Sequence, residues 1–373
     1  MIVKGTVRKG LRTKELVQQL QANEIAVIAH QDLDELAAKS LTASKVRAVI
    51  NAFSSISGQY PHHGPLHLIK SAIPLIDDVG IEIFDRLKDG TEVEINNEQI
   101  IINGLVIGRG TLLTYELFME RKKQAEKNYG QQLEKFIQNT MEYATREIDI
   151  VGKDLVLPKL KVNFRGRHTL IVVRGKDYRE DLKVIQPYIH EVKPVLIGVD
   201  GGADALRDFG YCPDIIFGDM DSITDATLKC GAQLIVHAYP DGRAPGMERI
   251  RSLGLEAAII PATGTSEDVA MLMAYQMETE LIVAVGTHSN VIDFLEKGRR
   301  GMASTFLVRL KVGSILVDAK GVSKLYRQKL KFRYIAQIVA AALIPLMVIS
   351  VVSPAGNQLL RLIYIKLRLI FRL

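Results

Sequence analysis

The chain has 373 residues, 47% hydrophobic and 24% charged, enough for two domains with their own cores, which excludes wholesale disorder. Its formal net charge of +6 is unevenly placed: nine Lys and Arg and no acid occur from Lys324 onward, against 39 basic and 42 acidic residues before it. A slightly acidic body excludes a general nucleic-acid binder, and charge gathered at one end points to a membrane or an interaction tail.

Residues 1–110 alternate short apolar runs ("IAVIAH", "VRAVINAF", "IPLID", "TEVEI", "QIIINGLVIG") with turns and helical patches, the pattern of a compact α+β domain. Residues 111–150 contain no proline and are rich in Glu, Lys and Gln. Leu133, Phe136, Ile137, Thr140, Met141 and Ala144 recur there at helical spacing. A long linker helix is expected, and its 112–148 stretch offers a pairing surface for a homo-oligomer.

From 151 to 323 strand and helix patterns alternate, as in "PVLIGVDGG" before "ADALRDFG" and "DIIFGDMDS" before "ITDATLKCG". Repeated apolar strand, turn and amphipathic helix predicts an open parallel α/β sheet, which the run "TFLVRLKVGSILVDAKG" closes as a β-rich piece. Cys212 and Cys230 have no metal-ligand spacing and read as reduced thiols of a cytosolic body. The start "MIVKGTVRKGLRTKELVQQL" has no apolar signal core.

Residues 324–373 read as a membrane segment with basic flanks. Residues 334–352 carry no charge over nineteen positions, about 28 Å of helix at roughly 1.5 Å per residue, close to the hydrocarbon core of a bilayer. Lys324, Arg327, Lys329, Lys331 and Arg333 precede them, as on a cytoplasmic flank. The expectation is a single transmembrane helix in the inner membrane with the body in the cytoplasm. The last fifteen residues, basic on one helical face, suit a helix lying in the membrane interface.

In open α/β sheets ligands bind beyond the carboxyl ends of the strands. There the sequence sets Asp200-Gly201-Gly202-Ala203-Asp204 and, one strand later, Asp219 and Asp221. The glycines would let backbone N–H groups approach a phosphate, and neighbouring carboxylates can supply magnesium with part of its oxygen shell. Taken singly, each stretch also reads as a turn with a helix cap. On successive strand ends they predict a phosphate or metal-phosphate site.

"DGGADALRDFGYCPDIIFGDMDSI" resembles the catalytic domain of thiamine pyrophosphokinases, which transfer a pyrophosphoryl group from ATP to thiamine with magnesium. The resemblance implies Asp200, Gly201 and Gly202 in a nucleotide cleft, Asp219 and Asp221 on magnesium, and a pocket turn at Gly264 through Asp268. One segment departs from the family. Where those kinases have an acidic run, this chain reads "YPDGRAPGMERI": Asp241 remains, while Arg243 and Gly246 replace later acids. Arg243 can clamp phosphate but cannot ligate magnesium, so a binding rather than a catalytic domain is expected, with active thiamine diphosphokinase as the alternative.

"YPDGRAPGMERIRSLG", "FLEKGRRGMASTFLVRLKVG" and "LVDAKGVSKLYR" resemble the bacterial SteA-type cytokinetic ring proteins. That implies division-apparatus partners, a place at the division site, and a nucleotide or phosphorylated ligand in a regulatory role. "AVINAF", "PHHGPLHLIKSAIPLID" and "LKDGTEVEI" resemble the swivelling phosphohistidine domain of phosphoenolpyruvate-utilising enzymes, with His63 near the histidine position. The Gly-Gly and Ser-His signature is missing, which implies a shared fold without phosphotransfer. His62, His63 and His67 as a metal cluster is the weaker reading of that loop.

Overall fold

The computed structural model describes residues 2–296 and 298–325, together with scattered positions between 337 and 368. Met1–Val322 form one compact unit and Ser323–Leu373 a second. The first unit contains two sheets, each with its own helices, called here the N-terminal and the second lobe.

The N-terminal lobe is built on eight strands: β1 (Ile2–Gly10), β2 (Ile25–Ile28), β3 (Ala48–Asn51), β4 (Leu75–Asp77), β5 (Glu92–Asn96), β6 (Gln99–Ile102), β7 (Leu105–Arg109) and β8 (Thr111–Leu112). Their order is β7-β6-β5-β1-β2-β3-β4-β8. β2 and β3 are apolar and buried at nearly every position, as strands covered on both faces must be. β1 to β4 run parallel and are joined through the helices Thr13–Val17, Glu35–Ala43 and Gly64–Lys70. β5 to β7 form an antiparallel meander, turned between β6 and β7 by Asn103 (φ 51°) and Gly104 (φ 79°). The lobe is therefore mixed α/β rather than the expected α+β: strand and helix alternate through its first half, which forces parallel pairing.

The second lobe has seven parallel strands: β9 (His168–Val172), β10 (Val195–Val199), β11 (Ile215–Gly218), β12 (Gln233–Ala238), β13 (Ala258–Pro261), β14 (Leu281–Val285) and β15 (Leu316–Asp318). Their order is β13-β12-β11-β10-β9-β14-β15, so the order reverses between β9 and β14. The core on one face gathers Ile197, Phe217 and Ile235 from the sheet with the helix Ser266–Gln276. That helix is buried at every residue from Glu267 to Ala274, because Ala303–Val312 packs on its far side.

Residues 305–321 were expected to be β-rich; Leu316–Asp318 form a strand, but 305–312 are helical. Their β-branched residues favour strand, yet Thr305, Val308 and Val312 fall on one buried helical face, and burial outweighs a propensity difference below about 1 kcal/mol.

The helix Tyr115–Arg146 spans 32 residues and packs on both lobes. It is capped by Thr114, whose hydroxyl accepts the N–H of Leu117. Its first half buries Phe118 in the N-terminal lobe, where Arg121 reaches Asp78 at 3.2 Å and Asn128 donates to the Gly58 carbonyl at 2.9 Å. Its second half sets Phe136 against Phe294, with Asn139 donating to the Arg300 carbonyl at 3.0 Å. Ile137 and Met141 stay exposed.

The expected transmembrane helix is not supported. Among the described residues no helix is long and apolar enough to cross a membrane, and much of 334–352 lies outside those residues. Length and apolarity fall on different helices. Tyr115–Arg146 is long but highly charged, while the apolar Ser266–Gln276 has 11 residues, about 16 Å, half a hydrocarbon core. The single-pass inner-membrane placement loses its support with it.

Candidate functional site at the strand ends of the second lobe

β10 and β11 are neighbours, so the loops that follow them leave the sheet side by side. Asp200 adopts φ 47°, in the left-handed region, and its Oδ1 accepts the backbone N–H of Asp219 at 3.0 Å. Gly218 makes this approach feasible. At φ 145° it occupies a region closed to other residues, and a Cβ there would lie 1.8 Å from Asp200 Oδ1. Asp219 Oδ1 in turn accepts the N–H of Asp221 at 3.0 Å, and both side chains open to solvent.

Burial, reinforced by the Asp219 charge, pushes the Asp200 carboxyl up to about 7. Two acids thus sit together, and the neighbouring negative charge disfavours ionisation of the buried one. Among the described residues no group of three or more His, Cys, Asp or Glu could hold a metal by itself. Asp219 and Asp221 are hard oxygen donors of the kind magnesium takes as a pair, with phosphate and water completing its shell.

The glycines of the Asp200-Gly201-Gly202 turn have packing reasons. A Cβ on Gly202 would meet the Val172 carbonyl oxygen at 1.9 Å, so glycine lets the helix Gly202–Asp208 sit tightly on the end of β9. Gly201 lies under the Arg174 guanidinium, where a Cβ would stand 3.0 Å from Nε. Asp204 in the first turn accepts the Thr224 hydroxyl at 2.7 Å and meets Arg174 at 3.4 Å. It therefore ties the loops after β9 and β11 to the same helix.

Asp241 and Arg243 contact each other within their own turn after β12. Arg243 Nε donates to Asp241 Oδ2 at 2.7 Å, and its guanidinium lies over the Tyr239 ring at 5.2 Å. Both are exposed, and the Arg243 hydrogen bonds hold the Asp241 carboxyl below its usual range. Gly264 (φ 100°) abuts Ser304, and Asp268 is fully buried. Asp268 forms a capping box with Thr265 and accepts the hydroxyls of Ser304 at 2.8 Å and Thr305 at 2.9 Å, leaving Oδ1 without a partner. Its side chain stitches two helices and faces no solvent.

In the N-terminal lobe His63 is exposed at the N-cap of Gly64–Lys70, and His67 stands 3.7 Å from Glu35. His62 is fully enclosed, 3.5 Å from Asp32, with neither ring nitrogen hydrogen-bonded. The three do not converge on one point that could hold a metal. A surface depression of about 760 Å³ lies at the other end of that sheet, among Lys4, Gln21, Glu24, Arg47 and Glu94, and holds none of the strand-end acids.

Sequence reasoning missed Arg174. It lies two residues beyond the end of β9, beside the reversal of strand order, so its position at a strand end was a usable signal. Its Nε is buried without a hydrogen-bond partner.

No curated protein matches the chain. Among solved structures, the 3-isopropylmalate dehydratase leuD of Methanocaldococcus jannaschii is similar over 35% of this chain and 99% of its own, at 16% identity and a TM-score of 0.22. Residues 187–243 match the family described as thiamin pyrophosphokinase, catalytic domain, a span that holds Asp200, Asp219, Asp221, Asp241 and Arg243 and leaves out Gly264 and Asp268. Residues 320–371 match the family described as SteA-like C-terminal domain. These matches cover two separate stretches of the chain, each similar to its own family.

Proposed function

We propose that the second lobe binds a nucleotide or another phosphorylated ligand together with magnesium, in a regulatory role within the bacterial division apparatus. The observation that carries the binding reading is the pairing of Asp200 with Asp219 through the Gly218 backbone. This pairing stores charge repulsion at a strand end where a cation would relieve it. Asp219 and Asp221 would hold magnesium, which neutralises phosphate oxygens when bound. Arg174 and the loop at Gly201 would face the phosphate. Support for the division role comes from the SteA-like match over 320–371 and from nothing in the geometry.

Phosphoryl transfer rests on positioning and charge neutralisation, so it needs its acids free. Here the acid that remains in the departed segment, Asp241, is already neutralised by Arg243 of its own turn. That pairing supports a binding rather than a catalytic domain, with an active thiamine diphosphokinase as the alternative.

The test is calorimetry of the full chain with ADP and ATP, with and without magnesium. Magnesium-dependent binding that falls at least tenfold in an Asp219→Ala/Asp221→Ala double variant is expected. Equal affinity in both proteins refutes the site. Thiamine diphosphate formed over many turnovers from ATP and thiamine would refute the non-catalytic part alone.

A further inference from the structure

The loop after β11 carries both acids of the proposed metal site, and its backbone is not relaxed. Asp219 and Asp221 are exposed, while Met220 between them is fully buried. Met220 adopts φ 68°, in the left-handed region that a residue with a side chain enters at a cost. Such a residue persists where its surroundings hold it there.

Arg249, on the helix Gly246–Ser252, closes over this loop. Its Nη1 donates to the Met220 carbonyl at 2.5 Å, and its Nη2 donates to the Ile223 carbonyl at 2.6 Å and to Asp225 Oδ1 at 2.6 Å. A guanidinium suits this task, since its donors are fixed in one planar fork and its charge is never lost. The helix that carries it is seated by Ile250, which is buried in one cluster with Met220 and Ile223.

At the start of the same helix, Gly246 lies against the Asp219 backbone, where a Cβ would stand 2.3 Å from the carbonyl oxygen. The two peptide groups that flank Met220 are therefore both fixed by this helix, one by close contact and one by a hydrogen bond. Rotation about Met220 would change the angle between the Asp219 and Asp221 side chains. Asp204 holds the far end of the loop, through the Thr224 N–H at 3.2 Å and hydroxyl at 2.7 Å.

We propose that Arg249 and Gly246 are positioning residues for the metal carboxylates Asp219 and Asp221. The departed segment, which lacks acids at Arg243 and Gly246, leads into the clamp on the acids that remain. This rests on the magnesium-binding function proposed above and adds which residues set its affinity. Residues that orient metal ligands without touching the metal typically change its affinity by about 10- to 100-fold when replaced.

The experiment is titration of magnesium into the full chain with a fluorescent ADP analogue in excess, reading the half-maximal magnesium concentration and the final amplitude. Arg249→Met is expected to raise the half-maximal concentration tenfold or more and to leave the amplitude unchanged. Gly246→Ala, which displaces the Asp219 carbonyl instead, is expected to shift it the same way. Arg249→Lys keeps the charge and loses the fork, so a shift of a few-fold is expected. Thermal unfolding checks the fold of each variant, and Arg249→Lys carries the test if Arg249→Met does not fold. An unchanged half-maximal concentration in these variants, with Asp219→Ala/Asp221→Ala impaired, overturns the clamp and spares the binding function. A lowered amplitude at every magnesium concentration in folded Arg249→Met also overturns it, because a purely structural residue or a direct ligand contact acts in that way. Absence of magnesium-dependent binding to the unaltered protein overturns both.

Discussion

Asp200 and Gly218 are locked together: the carboxylate oxygen of one occupies the space where the other would carry a Cβ. The contact closes the loops after β10 and β11 into one unit and aligns the Asp219 N–H with Asp200. Gly218→Ala must break it, both by overlap and by backbone strain at φ 145°. Loss of roughly 2–3 kcal/mol of stability is expected, together with loss of magnesium-dependent nucleotide binding. Chemical denaturation and calorimetry on the same variant check the two effects.

Asp77 provides a pH dependence remote from that site. It ends β4, is buried, and accepts the Ser55 N–H at 2.9 Å and the Ser55 hydroxyl at 2.5 Å. Burial outweighs these bonds and pushes its carboxyl up to about 7. Below the unfolded value near 3.8 both states hold the proton and no penalty exists. As pH rises from there to about 7, the unfolded state releases its proton first, and stability falls by up to roughly 4 kcal/mol at about 1.4 kcal/mol per unit. Asp77→Asn should flatten that slope between pH 4 and 7, as read from urea midpoints at each pH.

Asp268 separates a structural acid from a ligand-binding one. Its carboxyl joins Ser266–Gln276 to Ala303–Val312 through Ser304 and Thr305. Asp268→Ala should cost roughly 2–4 kcal/mol, by loss of the capping box and of partners for two buried hydroxyls. Nucleotide affinity of the folded variant should stay within twofold of the unaltered protein, measured by calorimetry at 15 °C.

Phe136, 3% exposed and ringed against Phe294, anchors the long helix to the second lobe. Phe136→Ala is expected to cost roughly 3–4 kcal/mol by leaving a cavity. Hydrogen exchange should rise in the second half of Tyr115–Arg146 more than in the first, where Phe118 stays in place.

The strand-end acids were legible because β10 and β11 follow each other in both sequence and sheet, so local order gave spatial order. The separation of Asp268 from them was not, since its hydroxyl partners lie 36 and 37 residues further on. The helix 303–312 was hidden by its β-branched residues, whose burial depends on a neighbour that no local window contains. Residues 334–352 show the opposite failure: hydropathy alone sets a span's length in residues and does not establish a continuous apolar helix, which the described residues do not provide. Arg174 was missed although it lies just beyond a strand end, because its partner Asp204 stands 30 residues further on.

Tyr115–Arg146 runs about 48 Å as one unbroken helix pinned at both halves. Such a beam fixes the distance between its anchor points, so the spacing of the two lobes is set by a single helix length and backed by the Lys176–Glu35 ion pair.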